Sequence, residues 1–255
     1  MAKQIRDLKV LDNKNIGGEF YLLELLSDRP FPEVFPGQFV QVRIDCSAEA
    51  FLRRPFSIYD IDYKLNTMRL LYQVVGRGTE CMSDLGPGSA LNTIYPLGNS
   101  FSKPSEGERI LLIGGGVGIA PFLLFSKQLK KAGFEIEMLF GFRNRERIIN
   151  YDEFKSYGKV HITTEDGSVG EKGFVTDHSL LKTERFDRIY CCGPDPMMKA
   201  VAKYAFSKGI FCELSLENLM ACGFGICLCC IVPTTRGNIC TCTEGPVFNI
   251  NELKW

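Results

Sequence analysis

Neither sign of charge is in excess in this sequence: thirty Lys and Arg offset thirty Asp and Glu, for a formal net charge of zero. Without a basic surplus there is no electrostatic footprint for nucleic acid or an anionic membrane surface, so neither is expected as a partner. No apolar run approaches the roughly 18–20 residues that a membrane span requires. The first residues, MAKQIRDLKVLDNKNIGGEF, carry charges throughout and lack the apolar core of a secretory signal. The expected compartment is the cytoplasm, where disulfides are rare. Histidine is scarce too: His161 and His178 are the only two, one in a strand-like run and one in a helix-like run, and neither is expected to be catalytic. No internal repeat or low-complexity tract occurs. What remains is an ordinary globular composition, 45% hydrophobic and 24% charged. A chain of 255 residues is long enough for two domains of common size.

Residues 1–100 read as β-rich. GEFYLLELLS, GQFVQVRID, RPFSIYDI, TMRLLYQVV and SALNTIYPLG are short β-branched or aromatic runs between Gly, Pro, Asn and Asp turns, with one helix candidate at TECMSDLG. That spacing predicts a small antiparallel barrel. NSFSKPSEGER, residues 99–109, has linker composition. From residue 101 to about 215 the rhythm changes to strand, helix, strand, helix, which predicts a Rossmann-like parallel sheet. Five strands are expected, beginning near Arg109, Glu135, Lys159, Asp187 and Ile210. Residues 216–255 follow the last of them as a cysteine-rich appendix.

Two glycine turns fall at the carboxyl ends of expected parallel strands, where open sheets bind ligands. The first, Gly114-Gly115-Gly116-Val117-Gly118, precedes a helix candidate, and glycine lets a backbone approach a phosphate closely. The second, Cys192-Gly193-Pro194, precedes Asp195, an N-cap candidate, with Pro196 at the first helical position. Together they could flank a dinucleotide; a tight turn without a ligand is the alternative for each. In the barrel, Arg54-Pro55-Phe56-Ser57 opens a strand, with Arg54 and Phe56 expected on one face and Pro55 and Ser57 on the other. Gly76, Gly78 and Thr79 begin the helix candidate and offer a phosphate cradle, or simply a capped loop.

In that order, these motifs resemble the ferredoxin reductase-like flavoprotein family. The resemblance implies an FAD-binding barrel and an NAD(P)-binding second domain. It implies that Arg54, Pro55, Phe56 and Ser57, with Leu71, Tyr72 and Gln73 on the next strand, contact FAD, and that Gly78 and Thr79 hold its diphosphate. It further implies that the Gly114–Gly118 turn and Cys192, Gly193 and Pro194 serve NAD. Arg143 and Arg145 follow the second parallel strand and leave NADH against NADPH open.

Six cysteines crowd into ACGFGICLCCIVPTTRGNICTC, residues 221–242. Cys222-x4-Cys227-x2-Cys230, then Cys242, matches the plant-type spacing for a [2Fe–2S] cluster, whereas structural zinc favours paired C-x2-C knuckles, of which only Cys227/Cys230 is one. Zinc or a redox-sensing loop remains the alternative on spacing alone. The stretch with its tail, Gly245-Pro246-Val247-Phe248, is similar to the electron-transfer subunits of two-subunit, NAD-dependent dihydroorotate dehydrogenases. In those, the last ligand stands where Cys242 stands, which sets Cys240 aside; Cys229 is an extra cysteine and makes the register ambiguous. The resemblance implies a pyrimidine-biosynthesis oxidoreductase that takes electrons from the FMN of a separate catalytic subunit through [2Fe–2S] and FAD to NAD⁺, in a two-plus-two heterotetramer. Its rival is the small subunit of another complex, such as an NADH–ferredoxin–NADP oxidoreductase or a sulfide dehydrogenase. Cys46, Cys81, Cys191 and Cys212 read as buried apolar residues.

Overall fold

The computed structural model describes residues 3–44 and 52–254; the reading of Cys46 lies outside them. Six antiparallel strands, β1 (Gln4–Gly17), β2 (Phe20–Leu26), β3 (Phe39–Val42), β4 (Arg54–Asp62), β5 (Thr67–Gln73) and β6 (Ala90–Leu97), close into a barrel in the order β1-β2-β5-β4-β3-β6. Alternation sends Leu8, Val10, Leu23, Leu25, Val40 and Val42 into its core. The first helix, α1 (Arg77–Ser83), lies between β5 and β6. Cys81, on this helix, is half-buried and disulfide-bonded, which corrects the reading of it as a buried thiol.

The rest of the chain builds a second sheet. Its elements are β7 (Ile110–Gly115), α2 (Phe122–Lys131), β8 (Ile136–Phe142), α3 (Tyr151–Phe154), β9 (Lys159–Thr164), β10 (Glu171–Lys172), α4 (Leu180–Thr183), β11 (Arg188–Cys192), α5 (Asp195–Lys208) and β12 (Phe211–Ser215). The tail adds β13 (Ile231–Thr234), β14 (Gly237–Cys240), α6 (Thr241–Glu244) and β15 (Val247–Asn249). The sheet order is β10-β9-β8-β7-β11-β12-β15. All pairs are parallel except β15 on β12. Every residue of β7 and β11 is buried, as strands between covered faces require, the one charged residue, Arg188 at the start of β11, pairing with Glu108. Among the described residues no helix is long and apolar enough to cross a membrane.

Three expectations change. The tail is not an appendix: β15 returns into the sheet, because Val247 and Phe248 are apolar and bury there. The 99–109 segment is a packed strap, since Phe101 stacks on Phe125 at 5.3 Å and Tyr190 donates its hydroxyl to the Ser102 carbonyl. Asp195 is the first helical residue rather than the cap; Pro194 takes the cap position, and Asp195 pairs with Lys199 one turn on.

The barrel and the sheet share one apolar core, in which Phe20, Tyr59 and Leu71 meet Ile119, Ala120 and Leu123. A polar clamp reinforces the joint. Arg69 donates to Asp60 at 2.7 Å and to Glu153 at 2.6 Å, Lys127 donates to Asp60, and the Tyr59 hydroxyl donates to Glu153. Glu153→Ala leaves the Tyr59 hydroxyl without its acceptor and Arg69 with Asp60 alone. Hydrogen bonds to charged groups of this kind contribute about 1.5–3 kcal/mol, so the melting temperature is expected to fall by roughly 5 °C; a change under one degree in a thermal melt would show that the clamp contributes nothing.

The two histidines meet edge to face at 5.4 Å, His161 against Glu137 and His178 against Glu171. His178 accepts the Leu180 N–H at Nδ1. Burial first, and then the neighbouring His161, hold its pKa below the usual histidine value despite Glu171. A depressed folded-state pKa means that the unfolded chain takes up the proton first. The His178 contribution is therefore complete above the ordinary histidine pKa, near 6.5, and is lost as pH falls below it. His178→Asn, which keeps an acceptor, is expected to lose less stability than wild type between pH 7.5 and 5.5 in paired melts; parallel curves would exclude the effect.

Candidate functional site

A cleft of about 440 Å³ opens where the barrel, the parallel sheet and the tail meet. All nine residues assigned to FAD from the sequence line it: Arg54, Pro55, Phe56 and Ser57 from β4, Leu71, Tyr72 and Gln73 from β5, and Gly78 and Thr79 from α1. Strand pairing brings them together, since β4 and β5 are barrel neighbours and α1 starts four residues after β5 ends. The Arg54 guanidinium lies flat against Gly78, where a Cβ would sit 3.0 Å from Nε. A side chain there would have to displace the guanidinium, so a cation and the start of a helix share one corner. The Thr79 hydroxyl is committed locally: it accepts the Val75 and Gly76 N–H groups and donates to the Gly76 carbonyl. Tyr72 stacks on Tyr21 at 5.5 Å and meets the edge of Phe56 at 5.8 Å, giving the cleft an aromatic wall.

The glycine turns face the cleft differently. Val117 and Cys192 line it. Gly114, Gly115, Gly118, Gly193 and Pro194 mostly serve to pack the turns together: a Cβ on Gly118 would lie 2.5 Å from the Cys192 carbonyl, and one on Gly115 2.9 Å from Pro194. Gly116, at φ +55°, has open space beside it. Cys192 is buried, which pushes its thiol well up, with the Glu217 carboxylate 4.0 Å from its sulfur. Burial among the cleft walls pushes the Glu217 carboxyl up as well, although the cleft leaves the residue open to water.

Further lining residues were not singled out in the sequence, among them Phe39, Ser215, Glu217 and Met220. Ser215, Glu217 and Met220 arrive from the end of β12 and the segment after it. Phe39 and Met220 have two roles: they line the cleft and pack in one apolar cluster with Leu97, Cys230 and Cys242. One layer of side chains therefore separates the cleft from the cysteine loop.

Within the loop the sulfurs differ in what they bond. Cys222 Sγ accepts the Phe224 and Cys227 N–H groups at 3.3 and 3.5 Å, Cys242 Sγ accepts the Gly225 N–H at 3.2 Å, and Cys230 Sγ accepts the Cys242 N–H at 3.4 Å. Cys229 and Cys240 instead donate their thiols to the Leu219 and Gly225 carbonyls. Acceptor sulfurs are the ones a positive centre can use as thiolates. Positive φ at Gly225, +76°, turns its N–H toward Cys242. For Cys222, partial burial opposes ionisation, but the N–H groups of Cys227 and Phe224 outweigh it and bring the thiol down to about 6. Burial first, then Cys230, pushes Cys242 up to about 12. Cys222 and Cys227 lie close to each other, as do Cys230 and Cys242, and Cys240 also lies near Cys230. Among the described residues no three ligating side chains converge on a single point.

The tail fixes this loop to both domains. Asn99, at the barrel exit, donates to the Glu244 and Val247 carbonyls and accepts the Val247 N–H, while Pro246 accepts the Leu216 N–H.

Residues 217–254 match a family model described as the iron-sulfur cluster binding domain of dihydroorotate dehydrogenase B, and residues 112–203 match the oxidoreductase NAD-binding domain. A relative from Fusobacterium nucleatum subsp. nucleatum, named as the electron transfer subunit of dihydroorotate dehydrogenase B (NAD(+)), is 36% identical over 98% of this chain and 99% of its own. A Geobacillus relative of the same name is 38% identical over 99% of both chains. The chain belongs to the family of dihydroorotate dehydrogenase B electron transfer subunits. Among solved structures, one describing the NADH-dependent reduced ferredoxin-NADP oxidoreductase superposes with a TM-score of 0.88, 31% identity, and coverage of 97% of this chain and 90% of that one. The ferredoxin reductase of carbazole 1,9a-dioxygenase, at 19% identity and a TM-score of 0.70 over 82% of this chain and 67% of its own, shares the fold. The six cysteines from Cys222 to Cys242 fall within the iron-sulfur region of this electron transfer subunit, and both glycine turns fall within its NAD-binding region.

Proposed function

We propose that this chain is the electron-transfer subunit of a dihydroorotate dehydrogenase, accepting reducing equivalents from an FMN-containing catalytic partner and delivering them to NAD⁺. The carrying observation is the wall shared by Phe39 and Met220, which brings the cleft and the cysteine loop within a side chain of each other. When bound, FAD exchanges two electrons with a nicotinamide and single electrons with an iron–sulfur cluster, which makes it the converter such a chain requires.

The chain's own groups position and select. Arg54 and the amide groups at Gly78 hold the flavin diphosphate, and Phe56, Ser57, Leu71, Tyr72, Gln73 and Pro55 enclose the rest of the cofactor. Val117 and Cys192 face the nicotinamide from the opposite wall, with Gly114, Gly115, Gly116, Gly118, Gly193 and Pro194 forming the turns that admit NAD. Cys222, Cys227, Cys230 and Cys242 hold the [2Fe–2S] cluster. Residues 1–100, 101–215 and 216–255 thus divide the work into flavin, nucleotide and cluster binding. No side chain is required as a nucleophile.

The cysteine loop presents Leu219 and Ile226, 86% and 82% exposed, beside Phe224 and Leu228. An apolar patch of this kind around a redox centre fits a protein partner better than water. We assign it to the catalytic subunit, in a two-plus-two assembly located in the cytoplasm. Co-expression with that subunit and purification through one tag is expected to yield both chains and dihydroorotate-dependent reduction of NAD⁺. Free chains with no such activity would overturn the assignment. The close superposition on an NADH-dependent ferredoxin-NADP oxidoreductase structure supports a second reading, the small subunit of that kind of complex. It would be favoured by NADH reducing the bound flavin rapidly while the dihydroorotate subunit fails to associate.

A further inference from the structure

Gln41 is a buried amide that the cleft does not use. It sits on β3 with 0% exposure, and neither its Nε2 nor its Oε1 has a hydrogen-bond partner among the described residues. Leaving such an amide unpaired costs on the order of 1–3 kcal/mol, so a fold that retains it has a partner to offer. The register says where that partner lies. Val40 and Val42 point into the barrel core, which sends Phe39 and Gln41 to the opposite face. On that face Gln41 is paired with Pro55, a wall of the cleft, on one side and with Ile94, packed in the cluster of Cys230 and Cys242, on the other. Above it passes the cysteine loop: a Cβ on Gly223, the residue after Cys222, would lie 3.3 Å from both Cδ and Nε2 of Gln41. The amide therefore ends against the loop at its first ligand.

We propose that Gln41 donates its side-chain N–H to a sulfur of the iron–sulfur centre on the Cys222 side of the loop, and so raises that centre's reduction potential. The inference rests on the reading of Cys222, Cys227, Cys230 and Cys242 as cluster ligands. Reduction adds negative charge, which a donor to sulfur stabilises, so removing the donor favours the oxidised form. Gln41 is a positioning and tuning residue, not a catalytic one.

The test uses the full chain loaded with FAD and cluster, comparing wild type with Gln41→Met, which keeps the length and removes the donor, and with Gln41→Leu. The readout is an EPR-monitored redox titration of the cluster. The expected result is about a tenfold shift of the one-electron equilibrium toward the oxidised form, about 59 mV more negative, with iron, sulfide and FAD content unchanged. Stability of the apo chain is expected to be equal or higher, because an unpaired amide has been replaced by an apolar group. A potential equal to wild type in a fully loaded variant of either kind overturns the proposal. If wild type itself gives no two-iron EPR signal and no matching iron and sulfide, the ligand reading fails instead, and the two failures are thereby distinguished.

Discussion

Cys242→Ser is expected to empty the iron–sulfur site, with iron and acid-labile sulfide falling about tenfold or more, while Cys229→Ser and Cys240→Ser keep both near wild-type levels. Changes to outer-shell partners alone cost about 10–100-fold in metal affinity, and loss of a ligand exceeds that. Cys242 is buried, accepts the Gly225 N–H and pairs with Cys230, so a serine there puts a harder, less ionised oxygen at the end of a built hydrogen bond. Cys229 is exposed and bonds only as a thiol donor. Cys240 is the stricter test because it lies closer to the set, yet it too donates to a carbonyl. Metal and sulfide analysis with visible and EPR spectra of anaerobically purified protein decides. Loss of the cluster in Cys240→Ser with retention in Cys242→Ser would overturn the register, and stoichiometric zinc without sulfide would overturn the cluster.

Arg54→Met is expected to weaken FAD binding by roughly 10- to 150-fold, the equivalent of one charge-assisted contact of about 1.5–3 kcal/mol. The guanidinium is held at the one corner of the cleft where cation, glycine and helix start coincide. Gly78→Val should reproduce much of the loss by a different route, because its side chain meets Arg54 within about 3.0 Å and pushes it out of the corner. Flavin fluorescence titration of the apo-chain measures both. An unchanged affinity in Arg54→Met would place the diphosphate elsewhere in the cleft.

What could be read from the residues alone depended on whether the signal was local. The alternating runs of β2 to β6, the continuous apolar runs of β7 and β11, and the cysteine spacing all carry their pattern within a few positions, and each marks its element. β1 was missed because only Leu8 and Val10 of its fourteen residues bury, leaving a strand with charges throughout and little apolar alternation. β15 was missed because three residues carry no periodicity; it exists through Asn99 and β12, both distant in sequence. The same holds for the cleft. Motif residues of β4, β5 and α1 were legible, whereas Phe39, Glu217 and Met220 reach it only through barrel closure and the path of the tail. Gln41 had no signal at all: in GQFVQV it occupies what alternation assigns to the solvent face, and it is buried only because the loop lies over it.

The antiparallel strand β15 has a consequence beyond anchoring the cysteine loop. A sheet that stopped at β12 would present an open row of backbone donors and acceptors flanked by Cys212 and Leu214, both fully buried, and such edges recruit further strands from other molecules. The segment that carries Cys242 is thus also the sheet's guard against self-association. A lineage could not discard the cluster by trimming this tail without exposing an adhesive border, so loss of the redox centre by truncation is opposed by solubility as well as by function.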